Sequence, residues 1–175
     1  MSAPTPTPIL ATDRLLLTGP APADLDDAAA MWSHPVVYGP IGGRAFTREE
    51  VWHRLLRYLG HWQAVGYGTW TVRDRAGGAY LGEVGLMDSR RDTDPVFEGV
   101  PEAGWAFAPH AHGQGFAAEA LGAMLGWADA QGIGRTVCMI APDNVRSARL
   151  ALRRGYRSWT TGCYRGQPTD LYQRP

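Results

Sequence analysis

Residues 110–120 read HAHGQGFAAEA, a glycine-rich turn running into an alanine-rich segment. Glycines at a strand-to-helix turn let backbone N–H groups close on an anion, with the positive end of the helix behind them, so these residue types suit phosphate binding. A plain helix start, its glycines serving only a tight turn, has the same composition. As a string, Gly113-x-Gly115-x-x-Ala118 also satisfies the dinucleotide fingerprint G-x-G-x-x-G/A, which would make the chain an NAD-binding oxidoreductase. That fingerprint needs an acid about 20 residues further on to hold the ribose hydroxyls, and a second mononucleotide half. The first acid at a strand end is Asp143, well beyond that distance, and the second half is missing. His110 and His112 form a His-x-His pair, but no third ligand stands at a plausible spacing, so no metal is expected. Cys138, in the apolar run TVCMIAP, and Cys163, in a polar segment, have no C-x-x-C partner and read as inert free thiols.

The elements that must position this turn follow from periodicity. RLLLTGP, from Arg14, is a short strand, and PADLDDAAAMWSH a helix with acids in its first turns. FTREEVWHRLLRYLGHW carries a capping box, Thr47 with Glu50, then Val51, Leu55, Leu59 and Trp62 at helical spacing. GYGTWTVRD and AYLGEVGLM form an antiparallel hairpin about RAGG. DSRRDTDPVFEGVPE, without periodicity, is an exposed loop leading to the strand AGWAFAP, which Pro109 ends. In the helix after the glycines, Ala117, Leu121, Met124, Leu125 and Ala128 share one face. RTVCMIAP is a buried strand, DNVRSARLALRRGY a helix with an Asp143/Asn144 cap signal, and YRSWTTG and DLYQR close the chain as strands. The order is β-α-α-β-β-β-α-β-α-β-β, and Trp52, Trp62, Trp70 and Trp127 read as core.

A length of 175 residues, 45% hydrophobic, suits a single domain over 12–175 behind a flexible tail, 1–11. Lys plus Arg and Asp plus Glu are equal at 17 each, so no basic field draws nucleic acid or a membrane surface. The N-terminus lacks a basic n-region, and no segment reaches the roughly 18 apolar residues of a membrane span. A cytoplasmic protein is expected.

Three segments together resemble the GNAT family of N-acetyltransferases, in its branch acting on ribosomal proteins, protein N-termini and small amines. HGQGFA is similar to that family's pyrophosphate loop, PEAGWAFAP to its fourth strand, and APDNVRSARLALRRGYR to its Asn-x-x-Ser helix. The resemblance runs from about Thr12 to the final LYQRP. It implies an α+β fold: a mostly antiparallel twisted sheet, splayed between its fourth and fifth strands and flanked by about four helices. Acetyl-CoA, with no metal, would occupy the gap.

By the same resemblance, the pyrophosphate would be held by the loop His112, Gly113, Gln114, Gly115, Phe116, Ala117 and Ala118. The backbone of Phe107 and Ala108 would pair with the pantetheine arm as an added strand, with Asn144 bonding the same region. His112 departs from the family's usual Gln or Arg, and Ala151 stands where many relatives carry a tyrosine acid. The implied catalytic pair is Glu102, as a base acting through water, and Ser147, which protonates the departing sulfur. The acceptor, a primary amine on a small molecule or a protein, would be walled by Trp32, Tyr38 and Phe46.

The residues themselves leave other roles open. Glu102 could simply pair with an arginine, Ser147 bond to backbone and Asn144 cap its helix, as in a non-catalytic acyl-CoA-binding regulatory module. A homodimer through exposed strand edges is compatible with the pattern.

Overall fold

The alternating residues 69–87 close the expected hairpin, and the sheet is built outward from it. In the computed structural model, which describes residues 6–175, the strands are β1 (Leu10–Ala11), β2 (Leu15–Thr18), β3 (Thr69–Asp74), β4 (Tyr80–Met87), β5 (Thr93–Asp94), β6 (Glu102–Phe107), β7 (Thr136–Ile140), β8 (Arg157–Tyr164) and β9 (Gln167–Arg174). The helices are α1 (Leu25–Trp32), α2 (Pro35–Tyr38), α3 (Arg48–Val65), α4 (Phe116–Ala130) and α5 (Val145–Arg153). Among the described residues the strands form one nine-stranded sheet, in the order β1-β2-β3-β4-β6-β7-β9-β8-β5. Every pairing is antiparallel except β6 with β7.

Period-two alternation along β6 assigns the two faces. Ala106 packs with Trp32 of α1 and Val51 of α3, whereas Ala103 and Phe107 pack with Leu121, Met124 and Leu125 of α4. Leu150 and Ala151 of α5 join the α4 side. Trp70 of β3 is fully buried between Trp62 of α3 and Trp127 of α4, with ring centroids 4.6 and 5.0 Å away, the core role read for these tryptophans. The capping box of α3 forms as read: Thr47 Oγ1 accepts from the Glu50 N–H, and Glu50 Oε2 accepts from the Thr47 N–H at 2.8 Å. Arg44 and that cap hold the Glu50 carboxyl down at about 2.

Two expectations change. Residues 1–5 of the tail lie outside the described residues, but the tail's later part is not free. Leu10 and Ala11 pair with Leu17 and Leu16, and the Trp70 indole donates to Pro8 O at 2.7 Å. The loop after β4 is likewise only partly exposed. Thr93 and Asp94 pair with Tyr164 and Cys163, and Phe97 is buried against Val137 and Leu171. Between α1 and α3, Pro35–Tyr38 forms one short helix, capped by the His34 ring, which accepts from the Val36 N–H.

The feature that positions the site is where β6 and β7 part. They share a single bridge, Glu102 opposite Val137, with the Val137 N–H donating to Pro101 O at 3.0 Å. Beyond it the strands diverge, the splay expected between the fourth and fifth strands of the sequence pattern. On the other side of β6, the Ala108 N–H donates to Leu81 O at 2.8 Å. Alternation then turns the backbone N–H and C=O of Ala103, Trp105 and Phe107 toward the gap.

Candidate active site

The glycine turn sits where β6 hands over to α4. Gly113 and Gly115 both adopt left-handed backbone, φ 77° and 80°, which a Cβ would oppose. Gly115 is the N-cap of α4 and supplies no side-chain acceptor, so the first N–H groups of the helix, on Phe116, Ala117 and Ala118, have no cap. They point to one spot with the helix dipole behind them, an arrangement that binds anions.

Neighbouring side chains hold this turn and leave its backbone donors open. Gln114 Nε2 donates to His110 O at 2.6 Å, and Arg14 Nη1 donates to Gln114 O at 2.9 Å. Arg14 also pairs with Glu119 at 2.6 Å and lies over the Phe116 ring. His112 Nε2 meets Phe107 O at 2.8 Å; a carbonyl only accepts, so that nitrogen carries the proton. His110 Nε2 likewise donates to Tyr80 O. Among the described residues no three His, Cys, Asp or Glu side chains are grouped to hold a metal ion.

From the gap a cavity of about 860 Å³ extends across the α1/α3 face of the sheet. Glu102, Asn144 and Ser147 line it beside the β6/β7 gap, and Trp32, Arg54 and Glu83 toward α1 and α3. Asn144 caps α5, its Oδ1 accepting the Ser147 N–H at 3.2 Å, which leaves its amide N–H groups to donate. Ser147 Oγ has no hydrogen bond among the described residues. Glu102 is buried, and both its oxygens receive Arg91, Nε to Oε2 at 2.6 Å and Nη2 to Oε1 at 2.9 Å. Arg91 also donates to the Tyr164 hydroxyl at 3.1 Å. The alternatives read for Glu102 and Asn144, an arginine partner and a helix cap, are both realised, although neither removes the group from the cavity.

The α1/α3 side holds a second buried carboxylate. Glu83 of β4 accepts only from neutral donors: the Trp32 indole at 3.3 Å, the Tyr58 hydroxyl at 3.0 Å and the Tyr80 hydroxyl at 3.2 Å. Burial pushes its carboxyl above the ordinary range against the opposing field of Arg54. Burial, then the Glu83 charge, pushes the Tyr58 phenol up to about 12.

A folded-state pKa above the unfolded one means the native protein binds the proton more tightly, so stability is lost as pH rises from the unfolded value, about 4.3, through the folded one. Glu83→Gln cannot lose this proton. The stability of the native sequence minus that of Glu83→Gln is therefore expected to fall between about pH 4 and about pH 8. Urea unfolding at the two pH values measures it, and a constant difference would contradict the assignment.

Of the three residues expected to wall the acceptor, Trp32 and Phe46 line the cavity, their rings edge to face at 5.3 Å. Tyr38 does not; it ends α2, half-buried, its carbonyl accepting from the Gly43 N–H. Of the two residues expected to lend backbone to the cofactor arm, Phe107 faces the gap with its N–H, its carbonyl being held by His112. The Ala108 N–H is spent on Leu81, and Trp105, not anticipated, faces the gap. Arg54, Tyr58, Glu83 and Arg91 were also not anticipated. Only Arg54 and Glu83 had a sequence signal, a charged residue inside an apolar register: Arg54 beside the Val51–Leu55–Tyr58–Trp62 stripe, and Glu83 in a strand buried along nearly its whole length.

Comparison with known proteins places these features in context. Residues 14–157 match the family model described as the acetyltransferase (GNAT) domain. A solved protein from Bordetella pertussis, described as a GnaT-family acetyltransferase, is 35% identical, with a TM-score of 0.85 over 97% of this chain and 100% of that one. RimL, a ribosomal-protein acetyltransferase solved in complex with coenzyme A, is 14% identical and shares the fold, with a TM-score of 0.76 over 95% of this chain and 97% of that one. An uncharacterized Bacillus subtilis protein, YkkB, is 30% identical over 112 residues, 62% of this chain; the match spans 63% of that curated relative's length.

Proposed function

The chain belongs to the GNAT family of acetyltransferases, which draw their acetyl group from acetyl-CoA, and from that premise we propose that it acetylates a primary amine by direct attack in a ternary complex. The observation that carries this reading is the cavity that joins the β6/β7 gap, lined there by Glu102 and Ser147, to a walled space on the α1/α3 face. The pantetheine arm would lie along β6 as an added strand, bonded through the backbone of Trp105 and Phe107 and the Asn144 amide, its pyrophosphate at the turn from His112 to Ala118.

In that complex the neutral amine attacks the thioester carbonyl carbon and the C–S bond breaks. The proton shed by the attacking nitrogen passes through water to Glu102, whose carboxylate Arg91 orients; Ser147 Oγ gives a proton to the sulfur and regains one from solvent as Glu102 releases its own, so both groups end as they began. No covalent enzyme intermediate is needed, because the cavity holds both reactants at once. We further read residues 12–175 as one domain in the cytoplasm, on its even charge and free thiols. Among the described residues no helix is long and apolar enough to cross a membrane.

A second reading has an observation in its favour. The two-pronged grip of Arg91 on Glu102 and the Asn144 cap both serve the fold, as they would in a regulatory module that binds acyl-CoA without turnover. Release of free CoA from acetyl-CoA across a panel of amines separates the two. Amine-dependent release at steady state is the expected result; saturable CoA binding with no release on any amine would leave the module.

A further inference from the structure

The cavity carries more positive charge than its own acids offset. Arg44, Arg54, Arg57, Arg91 and Arg165 line it, against Glu83, Asp88 and Glu102. Four of these charges are already matched: Arg44 pairs with Glu50, Arg91 with Glu102, and Asp88 with Arg90. What remains is Arg54, Arg57 and Arg165, none of them in a salt bridge among the described residues, facing Glu83 alone. Glu83 in turn is bonded only to neutral phenol and indole donors.

Arg54 is the best placed of the three. Its guanidinium lies over the Trp32 ring at 4.1 Å and near the Phe46 ring at 4.9 Å, both rings belonging to the cavity wall. Nη1 donates to the Tyr58 hydroxyl at 2.8 Å, and that hydroxyl separates it from Glu83. A guanidinium fixed by rings and one phenol has lost its rotamer freedom before any ligand arrives, and its remaining N–H groups form a planar fork that matches two carboxylate oxygens.

We propose that the acceptor is an amine that also carries a carboxylate, and that Arg54 receives the carboxylate while the amine reaches toward Glu102. This rests on the acetyl-transfer reading. It adds a substrate class: the free carboxylate of an amino acid, or an acidic side chain close to a peptide's amino end. Arg57, on the same helix, and Arg165, on the β8–β9 turn, extend the positive field to the mouth and draw such an acceptor in.

The test compares matched acceptors on the full chain, by free CoA release: 4-aminobutyrate against propylamine, and a peptide with aspartate as second residue against the same peptide with asparagine. Carboxylated members are expected to exceed their partners in kcat/KM by about 30-fold, carried mainly by KM. Preference in the first pair identifies a small amino acid as the source, preference in the second an acidic peptide, and either supports the proposal. Arg54→Met is expected to shrink the preference to within about threefold, and Arg54→Lys, which keeps the charge without the fork, to restore part of it.

Turnover with no preference in either pair overturns the carboxylate site and leaves acetyl transfer standing. Should no amine be turned over, equilibrium binding of 4-aminobutyrate and propylamine to the CoA-loaded protein reads the same preference without chemistry. Equal affinity there overturns the proposal on its own.

Discussion

Glu102→Gln is expected to lower kcat by about 100-fold to 10,000-fold, the range a positioned general base supplies, with acetyl-CoA affinity within about twofold of the native protein. The substitution keeps the size of the side chain and removes the charge that would accept the amine's proton. It also puts an amide N–H against Arg91, whose Nε and Nη2 now meet the two carboxylate oxygens at 2.6 and 2.9 Å. An uncompensated guanidinium in a largely enclosed site destabilises the fold, so a loss of turnover in this variant alone does not separate chemistry from structure. The double variant Arg91→Met with Glu102→Gln removes both charges and is expected to recover most of the melting temperature. Turnover should stay low if Glu102 takes the proton. Turnover that returns with stability would make Glu102 a structural partner of Arg91 and nothing more.

The second large effect belongs to the turn. Gly115→Val is expected to weaken acetyl-CoA binding at least 100-fold, and Gly115→Ala about tenfold, read by titration calorimetry. At φ 80° a β-branched residue is a steric outlier, and an added Cβ would already stand 3.4 Å from Arg14 Nη2. Relief comes by rotating the Gly115 peptide, which turns the N–H groups at the start of α4 away from their common focus. Valine binding as tightly as glycine would remove the phosphate from this turn.

Local patterns carried most of the fold. The α3 capping box, the apolar face of α4 and the β3–β4 hairpin each depend on neighbours in sequence, and each forms where the pattern puts it. What periodicity could not show were pairings between distant segments. Thr93 and Asp94 become a strand only because Tyr164 and Cys163 lie beside them, and the tail strand exists because Leu16 and Leu17 offer an edge.

The site divides in the same way. The glycine turn is local physics, and its backbone was legible as one suited to an anion. Glu102, Asn144 and Ser147 came from likeness to a family, and their present bonds show structural duties that likeness does not convey. Arg54, Tyr58, Glu83 and Trp32 converge from α3, β4 and α1, so no spacing along the chain encodes their meeting. Trp32 was expected at the acceptor wall by likeness, and for Arg54 and Glu83 the only trace was charge where the register called for an apolar residue, which is the cost a protein accepts at a place it uses.

The parting of β6 and β7 also bears on which strand edges are open to other molecules. Unpaired strand edges invite other chains to join a sheet, and long ones are an aggregation hazard. Here the sheet's outermost strands have only two residues each, Leu10–Ala11 and Thr93–Asp94, and the second covers only Cys163 and Tyr164 of β8, leaving the β8 edge from Arg157 to Gly162 without a strand beside it. A second unpaired edge lies inside the wedge, between strands still joined at Glu102 and Val137. The two edges differ in what could reach them: the inner one would admit only a narrow extended arm, whereas the outer one could meet a whole strand of another chain.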